Sequence, residues 1–404
     1  MLATGAALAA LLLAGCTARP HSLRATAAGC AGHPSKKPAA NQAAANQAAA
    51  KQAEPQTTWP ERRAEPPGGT LALSRQAVDP VARTAYAMVS RTLSPIRGPY
   101  VLECINLRNG LVAKGPMFRA PNLALASGDL WIFGPSSPRA RSPKLPSVVV
   151  SQVDPRSLRV IRSIRLPGTV VAAYPLIHLA AGPGHSVWIG SVHAGPAAKM
   201  FRLDIRTGTV LATVRLPTNL VATDLATDPA HEHLYVSAAH MVGRGTEGNV
   251  ILEYHARSGR LVAEANRGLV TFSVTGSELT AVPGGVWASF RTGMLGITLH
   301  LRQPDLTMIA PPGPDIVRSP ANGLFHWAMY AATSYGGGSL WLANQAGIVA
   351  CINPRTGEPR AIERLHEDQL IFQLLAVDPA RRQMYASDSR GLVVITPPAH
   401  CWRG

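Results

Sequence analysis

The sequence predicts an all-β fold, a β-propeller of seven four-stranded antiparallel blades, on three observations. Glycine and proline number 36 and 34 of 404 residues, which suits short strands joined by tight turns and disfavours a helical bundle. An aromatic residue recurs seven times after a turn, at a mean spacing of about 50 residues. A period of roughly 40 to 50 residues with four strands per unit is typical of a propeller blade. No strand pattern is followed by a long helical pattern, so a parallel α/β sheet is not predicted.

The recurring aromatics, called anchors below, each follow a strand of small residues and a turn. They are Tyr86, Trp131, Trp188, Tyr235, Trp287, Trp341 and Tyr385. The strand after each anchor ends in a turn such as Asp204-Ile-Arg-Thr-Gly208, where a polar side chain caps the turn and glycine accepts a positive φ. The predicted blades are 70–120, 121–172, 173–218, 219–268, 269–325, 326–370 and 371–402. The last blade has only three strands, so we expect its fourth strand to come from residues that precede the first blade.

The amino terminus predicts export and a lipid anchor. Residues 1–15 are uncharged and apolar, as in a signal peptide, and this run is too short to span a bilayer as a helix. The segment Leu13-Ala14-Gly15-Cys16 resembles the lipobox of bacterial lipoproteins. The resemblance implies cleavage before Cys16 and attachment of diacylglycerol to its thiol. We therefore predict a protein held by lipid at the extracytoplasmic face of the cell membrane.

Residues 16–69 form a predicted tether. They contain a near-repeat of NQAAA between prolines and have no apolar face from which a core could be built. The predicted organisation is a lipoprotein signal peptide at 1–15, a disordered Ala/Gln/Pro-rich tether at 16–69 and the propeller at 70–402.

The segment 204–237 resembles the repeat of YVTN-type seven-bladed propellers, which are akin to streptogramin-lyase-like and quinoprotein-like propellers. The resemblance covers most of 70–402 and implies the scaffold rather than an activity. Quinoprotein repeats carry a tryptophan after the turn glycine, where this chain has residues such as Val210. Bound pyrroloquinoline quinone is therefore not expected, and no cofactor is predicted.

Four cysteines besides Cys16 suit an oxidising compartment. Cys104 and Cys351 occupy the same position of their repeats, but a whole blade separates them, which exceeds the reach of a disulfide. Cys401 follows the last strand and is a candidate partner for either. The alternative is that Cys30 and these three are all free thiols.

Motifs for metal binding or catalysis are not evident in the sequence. It has no HExxH, GxSxG, CxxC or phosphate-binding glycine loop. His231 and His233 form the one close histidine pair, and they fall in a turn, where exposed histidines are commoner than metal ligands. We predict no metal site.

One set of polar residues is a candidate ligand site. Aligned on the anchors, the residue that starts each innermost strand is polar in six of seven blades. These residues are Arg75, Asn122, His178, Asp224, Glu278 and Tyr330, with Leu374 in the seventh blade. Innermost strands start at one mouth of the central channel, so this ring is predicted to orient a small polar or anionic ligand.

The formal charge of +16 comes from 33 Arg and 6 Lys. The arginines are scattered, and nucleic acid is a poor partner for an exported protein, so anionic lipid or wall polymers are the expected acidic neighbours. We predict a binding or protein-interaction module whose partner is another extracytoplasmic protein or a small ligand. The alternative is a lyase or hydrolase that uses the channel-mouth residues.

Overall fold

A computed structural model of the chain contains seven four-stranded antiparallel sheets. The innermost strands of the seven sheets pack against one another in a closed ring, which confirms the seven-bladed propeller. The structure describes residues 61–64, 76–90, 100–108, 112–118, 122–126, 128–135, 147–169, 178–190, 198–228, 230–242, 245–265, 276–292, 295–309, 331–344, 348–364, 373–387 and 392–402. Cys16 and Cys30 lie outside these residues.

Blades 1 to 4 each consist of four consecutive strands, innermost first. Blades 1 and 2 contain β2 (Gln76–Asp79), β3 (Thr84–Ser90), β4 (Tyr100–Asn106), β5 (Val112–Phe118), β6 (Asn122–Ala126), β7 (Asp129–Pro135), β8 (Ser147–Val153) and β9 (Val160–Thr169). Blades 3 and 4 contain β10 (Leu179–Gly182), β11 (Ser186–Ile189), β12 (Lys199–Asp204), β13 (Val210–Arg215), β14 (Leu220–Thr227), β15 (His233–Val242), β16 (Gly245–His255) and β17 (Leu261–Ala265).

Blades 5 and 6 follow the same order, and blade 7 differs. Blades 5 and 6 contain β18 (Gly276–Val282), β19 (Gly285–Thr292), β20 (Leu295–Arg302), β21 (Thr307–Ile309), β22 (Ala331–Gly336), β23 (Ser339–Asn344), β24 (Ile348–Ile352) and β25 (Pro359–Arg364). Blade 7 contains β26 (Gln373–Asp378), β27 (Gln383–Ser387), β28 (Leu392–Ile395) and, outermost, β1 (Glu61–Ala64). Within the described residues, no helix is long and apolar enough to cross a membrane.

The ring closes by pairing β1 with β28. Glu61 lies opposite Ile395 and Ala64 opposite Leu392 in an antiparallel register. The expected fourth strand of the last blade therefore comes from residues that precede the first blade, and it covers an otherwise exposed sheet edge. The range 16–69 predicted as tether thus contains one strand of the propeller at 61–64.

The turns between the third and fourth strands behave as their sequences predict. The Asp204 carboxylate accepts the backbone N–H groups of Arg206 at 2.7 Å and Thr207 at 2.8 Å, and Gly208 takes a φ of 75°. In the equivalent turn of blade 2, Leu158 occupies the glycine position with a φ of 56° and buries its side chain. Burial of the leucine side chain offsets the strain of its backbone.

The anchors are buried between blades, and three of them hold the next blade. Each of these three anchors donates a hydrogen bond to a backbone carbonyl oxygen of the next blade. The acceptor is the second residue of the turn that joins the third and fourth strands of that blade. The pairs are Tyr86 with Pro155 at 3.2 Å, Trp188 with Ala256 at 2.9 Å and Trp287 with Pro354 at 3.1 Å. All three anchors are at most 2% exposed, so these bonds lie in an apolar setting where a missing partner is costly.

Blade 7 has no turn between its third and fourth strands, because β1 reaches it from the other end of the chain. A 3₁₀ turn at Ala399–Trp402 packs there instead. Cys401 in this turn forms a disulfide with Cys351 of blade 6, and the Trp402 ring lies 4.7 Å from that of Trp341. The disulfide therefore joins blades 6 and 7, whereas a hydrogen bond from the anchor joins blades 1 and 2, blades 3 and 4, and blades 5 and 6. Cys104 is half-buried and forms no disulfide with another described cysteine, and burial raises the pKa of its thiol.

Candidate functional site

The predicted channel-mouth residues occupy one register position in five blades. In each blade we take the residue paired with the anchor as the reference, for example Ala180 opposite Trp188. Two residues before the reference stand Asn122, His178, Asp224, Glu278 and Leu374. Arg75 lies outside the described residues. The side chains of Asn122 and Leu374 are also outside them, although both residues belong to innermost strands.

Blade 6 departs from the predicted alignment. Trp341 pairs with Ser334, so the equivalent position in this blade is Ala332 and not Tyr330, which lies outside the described residues. The anchor and the residue paired with it are two positions closer in sequence in blade 6 than in blades 4 and 7, so the distance from the aromatic does not give the register. Aligning Tyr330 with the other six residues was therefore wrong by two positions.

His178 and Asp224 meet across the boundary between blades 3 and 4. Nδ1 of His178 lies 2.7 Å from Oδ1 of Asp224, and the two side chains are 2% and 15% exposed. The second carboxylate oxygen, Oδ2, accepts the backbone N–H of Leu279 in blade 5 at 2.6 Å. One carboxylate thus connects three successive blades. A charge-assisted hydrogen bond of this kind is stronger than a neutral one.

Glu278 repeats this arrangement one blade further on. Its Oε1 accepts the backbone N–H of Thr333 in blade 6 at 3.0 Å, and Thr333 is equivalent in register to Leu279. The hydroxyls of Thr280 and Thr333 add a bond of 2.7 Å across the same boundary. Each innermost strand is an edge of its sheet, so the N–H groups on its open side lack a strand partner. Asp224 and Glu278 satisfy those groups, so both carboxylates brace the channel wall.

An open cavity of about 530 Å³ lies at the other end of these strands. Three blades line it: the turn that follows β14, the second half of β18 and the second half of β22. The polar side chains in its wall are those of Thr227, Asp228, His231, Thr280, Thr333, Ser334 and Tyr335. The sequence predicted a ligand site at the start of the innermost strands. The cavity opens instead where those strands end.

His231 and His233 have separate environments. Nδ1 of His231 lies 3.3 Å from the Thr227 hydroxyl at the cavity wall. Nδ1 of His233 lies 2.7 Å from Oε1 of Glu253, which is fully buried. Within the described residues, no group of three or more His, Cys, Asp or Glu side chains is placed to hold a metal ion.

Glu253 belongs to a recurring set of third-strand residues, of which the sequence reasoning aligned only Cys104 and Cys351. In six blades, the residue opposite the anchor on the third strand is polar or a cysteine. These residues are Cys104, Gln152, Arg202, Glu253, His300 and Cys351, with Val394 in blade 7. The sequence does contain a recurring signal for this set. In most blades the residue stands two positions before the first residue of the turn between the third and fourth strands.

Two members of this set have unusual electrostatics. Glu253 Oε2 and the hydroxyl of its strand neighbour Tyr235 are buried, and neither has a hydrogen-bond partner among the described residues. Burial, and then the charge of Glu253, raise the pKa of Tyr235. The ring of His300 stacks on Trp287 with centroids 4.5 Å apart, and burial lowers the pKa of His300 to about 4.

Comparison with known proteins supports the architecture. No protein-family model and no curated protein matches this chain. The WD40 domain of Pan2 from Neurospora crassa is similar in structure at 12% identity, over 82% of this chain and 90% of that one, with a TM-score of 0.53. A chain of the mitotic checkpoint complex is similar at 12% identity, over 93% and 99%, with a TM-score of 0.53. BamB from Moraxella catarrhalis matches at 12% identity, over 85% and 98%, with a TM-score of 0.48. At this identity the two likenesses with a TM-score of 0.53 show the β-propeller fold alone.

Proposed function

We propose that this chain is a lipoprotein with a YVTN-type propeller, anchored at the extracytoplasmic face of a membrane, where it acts as a binding module. Its partner is another extracytoplasmic protein or a small polar ligand. The propeller supplies a rigid scaffold, and recognition takes place at the cavity between blades 4, 5 and 6.

Three features support export and anchoring. The segment that ends at Cys16 has the order of a signal peptide followed by a lipobox. The following residues have the composition of a spacer. The disulfide between Cys351 and Cys401 suits an oxidising compartment.

The proposed binding role rests on the hydrogen bonds that the two channel carboxylates make within the scaffold. Asp224 and Glu278 each accept a backbone N–H of the next blade, so their position is explained by the scaffold without a substrate. The cavity at the opposite end of the strands presents hydroxyl, carboxylate and imidazole groups from three blades. Concave sites with a few convergent polar groups are where ligands and partner side chains usually bind.

The second candidate is a lyase or hydrolase, and the contact between His178 and Asp224 favours it. A carboxylate that orients a histidine is the usual setting of a general base. With its side chain only 2% exposed, His178 offers little surface for a substrate, so we rank this function below binding.

Site-specific photo-crosslinking in the native host tests the binding role. A photoreactive residue replaces Ser334 in the cavity wall, and a matched variant carries it at Thr356, an exposed turn position of blade 6. We expect a discrete crosslinked species from the Ser334 position and none from the Thr356 position. Equal labelling from both positions, or none from either, would contradict binding at the cavity.

A further inference from the structure

The outer strands of blades 2, 3 and 4 share an exposed apolar feature. Nine large apolar side chains are exposed in the described part of the chain, and six of them are the first two residues of β9, β13 and β17. They are Val160, Ile161, Val210, Leu211, Leu261 and Val262, each between 41% and 48% exposed, and we call them the apolar rim. Three consecutive blades thus present the same pair at the same position.

Arginines surround the apolar rim. The segments 154–165, 204–215 and 255–265, which comprise the turns and outer strands of these blades, contain eight arginines and three carboxylates, a net charge of +5. Arg156, Arg159, Arg206, Arg257 and Arg260 are exposed in the turns directly before the apolar pairs. The carboxylates of Asp154 and Asp204 face their own turns, where they accept backbone N–H groups.

Blade 6 offers a contrast with the same architecture. Its turn and outer strand, 353–364, contain three arginines and two glutamates, a net charge of +1. Ile362 is its one exposed large apolar side chain in that segment. The concentration of apolar pairs and arginines is therefore a property of blades 2 to 4 rather than of every outer strand.

We propose that the apolar rim and its arginines form a surface that binds an anionic lipid membrane. Apolar side chains beside arginines suit the head-group boundary, where the aliphatic part of arginine lies on apolar surface and the guanidinium binds phosphate. The core of a protein interface is instead depleted of charge, whereas each apolar pair here directly follows a turn with exposed arginines.

Because the proposed lipid anchor already tethers the chain to the membrane, a modest affinity of the apolar rim for lipid is enough to hold the propeller against it. If residues 17–60 form the predicted spacer, their root-mean-square span is roughly 35–40 Å. Lipid at that distance has a high effective concentration, so the second attachment needs few contacts. The gain in effective concentration rests on the proposed lipid anchor. The test below does not require the anchor.

Vesicle co-sedimentation tests the inference on the full chain carrying Cys16→Ser, so that no acyl chain contributes. The probes are vesicles of phosphatidylcholine alone and vesicles of phosphatidylcholine with phosphatidylglycerol. The charge variant is Arg159→Gln with Arg206→Gln and Arg260→Gln, and the apolar variant is Ile161→Thr with Leu211→Thr and Val262→Thr. The matched control is Arg355→Gln with Ile362→Thr in blade 6. Thermal unfolding checks that each variant is folded, and the charge variant changes exposed side chains only.

We expect binding to the anionic vesicles that weakens with added salt and falls at least tenfold with phosphatidylcholine alone. Each arginine near an anionic surface contributes a factor of about five, so the charge variant should also lose at least tenfold. The apolar variant should lose several-fold, and the control should stay within about twofold.

Three results would overturn the inference: no binding to anionic vesicles, unchanged binding of the charge variant, or an equal loss in the control. Concentration-dependent self-association that the apolar variant abolishes would also overturn it, because the rim would then bind a second copy. Acylation of Cys16, followed with a labelled fatty acid in the host, is read separately. Its failure removes the anchor and leaves the vesicle result standing.

Discussion

Cys351 on the third strand of blade 6 is bonded through sulfur to Cys401 in the turn that ends the propeller. Cys351 lies directly opposite the anchor Trp341, and in blade 1 Cys104 has the same relationship to Tyr86. The covalent bond holds the terminal turn in the place that a turn between third and fourth strands occupies in the other blades. Two contacts therefore hold the seventh blade in place. The strand β1 pairs with its outer edge, and the turn that follows its last strand is linked through Cys401 to blade 6.

Replacing Cys401 should destabilise the propeller. The disulfide closes a loop with a sequence separation of 50, so Cys401→Ser is expected to cost about 2–4 kcal/mol of unfolding free energy. Denaturant unfolding measures the change, and Cys104→Ser is the control because Cys104 forms no disulfide within the described part of the chain. Mass spectrometry of unreduced exported protein should find Cys351 linked to Cys401. Recovery of Cys401 as a thiol would refute this prediction.

Asp224 should act as a brace between blades. Asp224→Ala leaves the N–H of Leu279 without its acceptor and removes the partner of His178, so we expect a loss of about 1.5–3 kcal/mol. Asp224→Asn keeps an acceptor oxygen and should lose less. Thermal unfolding of both variants checks the order. Wild-type stability of the alanine variant would mean that the carboxylate does not hold the blades together.

His300 should make stability depend on pH. Its pKa is lowered to about 4 by burial, whereas histidine in an unfolded chain has a pKa near 6.5. Between these values the unfolded chain binds a proton that the folded protein excludes, so the unfolding free energy falls as pH falls from about 6.5 to 4. The full difference is roughly 2–4 kcal/mol.

His300→Phe removes the titrating group and keeps an aromatic ring beside Trp287. Denaturant unfolding at several pH values should give a shallower pH slope in this variant than in the wild type. Parallel slopes across that range would show that another group is responsible.

Two turn glycines should respond differently to alanine. Gly128 and Gly259 both have positive φ, but a Cβ at Gly128 meets nothing within 4 Å, whereas one at Gly259 collides with Val214 and lies 3.3 Å from Trp188. Gly128→Ala should cost about 1 kcal/mol from the backbone alone. Gly259→Ala should cost roughly 2–4 kcal/mol, because overpacking between blades is added. Equal melting temperatures for the two variants would contradict the close packing at Gly259.

Local chemistry explains which parts of this structure were predictable. The anchors and turns such as Asp204 to Gly208 are defined by neighbouring residues, so they could be read from the sequence and with them the seven blades. The strand that completes blade 7 followed from the need to cover an edge. The register of Tyr330 failed because turn length differs between blades. The contact of Asp224 with the Leu279 N–H joins residues 55 apart, and no local pattern encodes it.

The position of the cavity could not be read from the sequence for a similar reason. Its wall combines the turn at Asp228 with the ends of two later strands, including Thr280 and Ser334. Those residues become neighbours only once the ring of blades has closed. The ring of polar residues was visible because it recurs, but recurrence equally marks a structural brace.

Mass spectrometry of the amino-terminal peptide, from protein in the membranes of its native host, tests the central claim most directly. The claim of an anchored extracytoplasmic module predicts a peptide that begins at Cys16 and carries diacylglycerol on its sulfur, and it predicts that Cys16→Ser abolishes this modification. A peptide that runs through Cys16 uncleaved and unmodified, in protein that fractionates with the cytoplasm, would contradict the account.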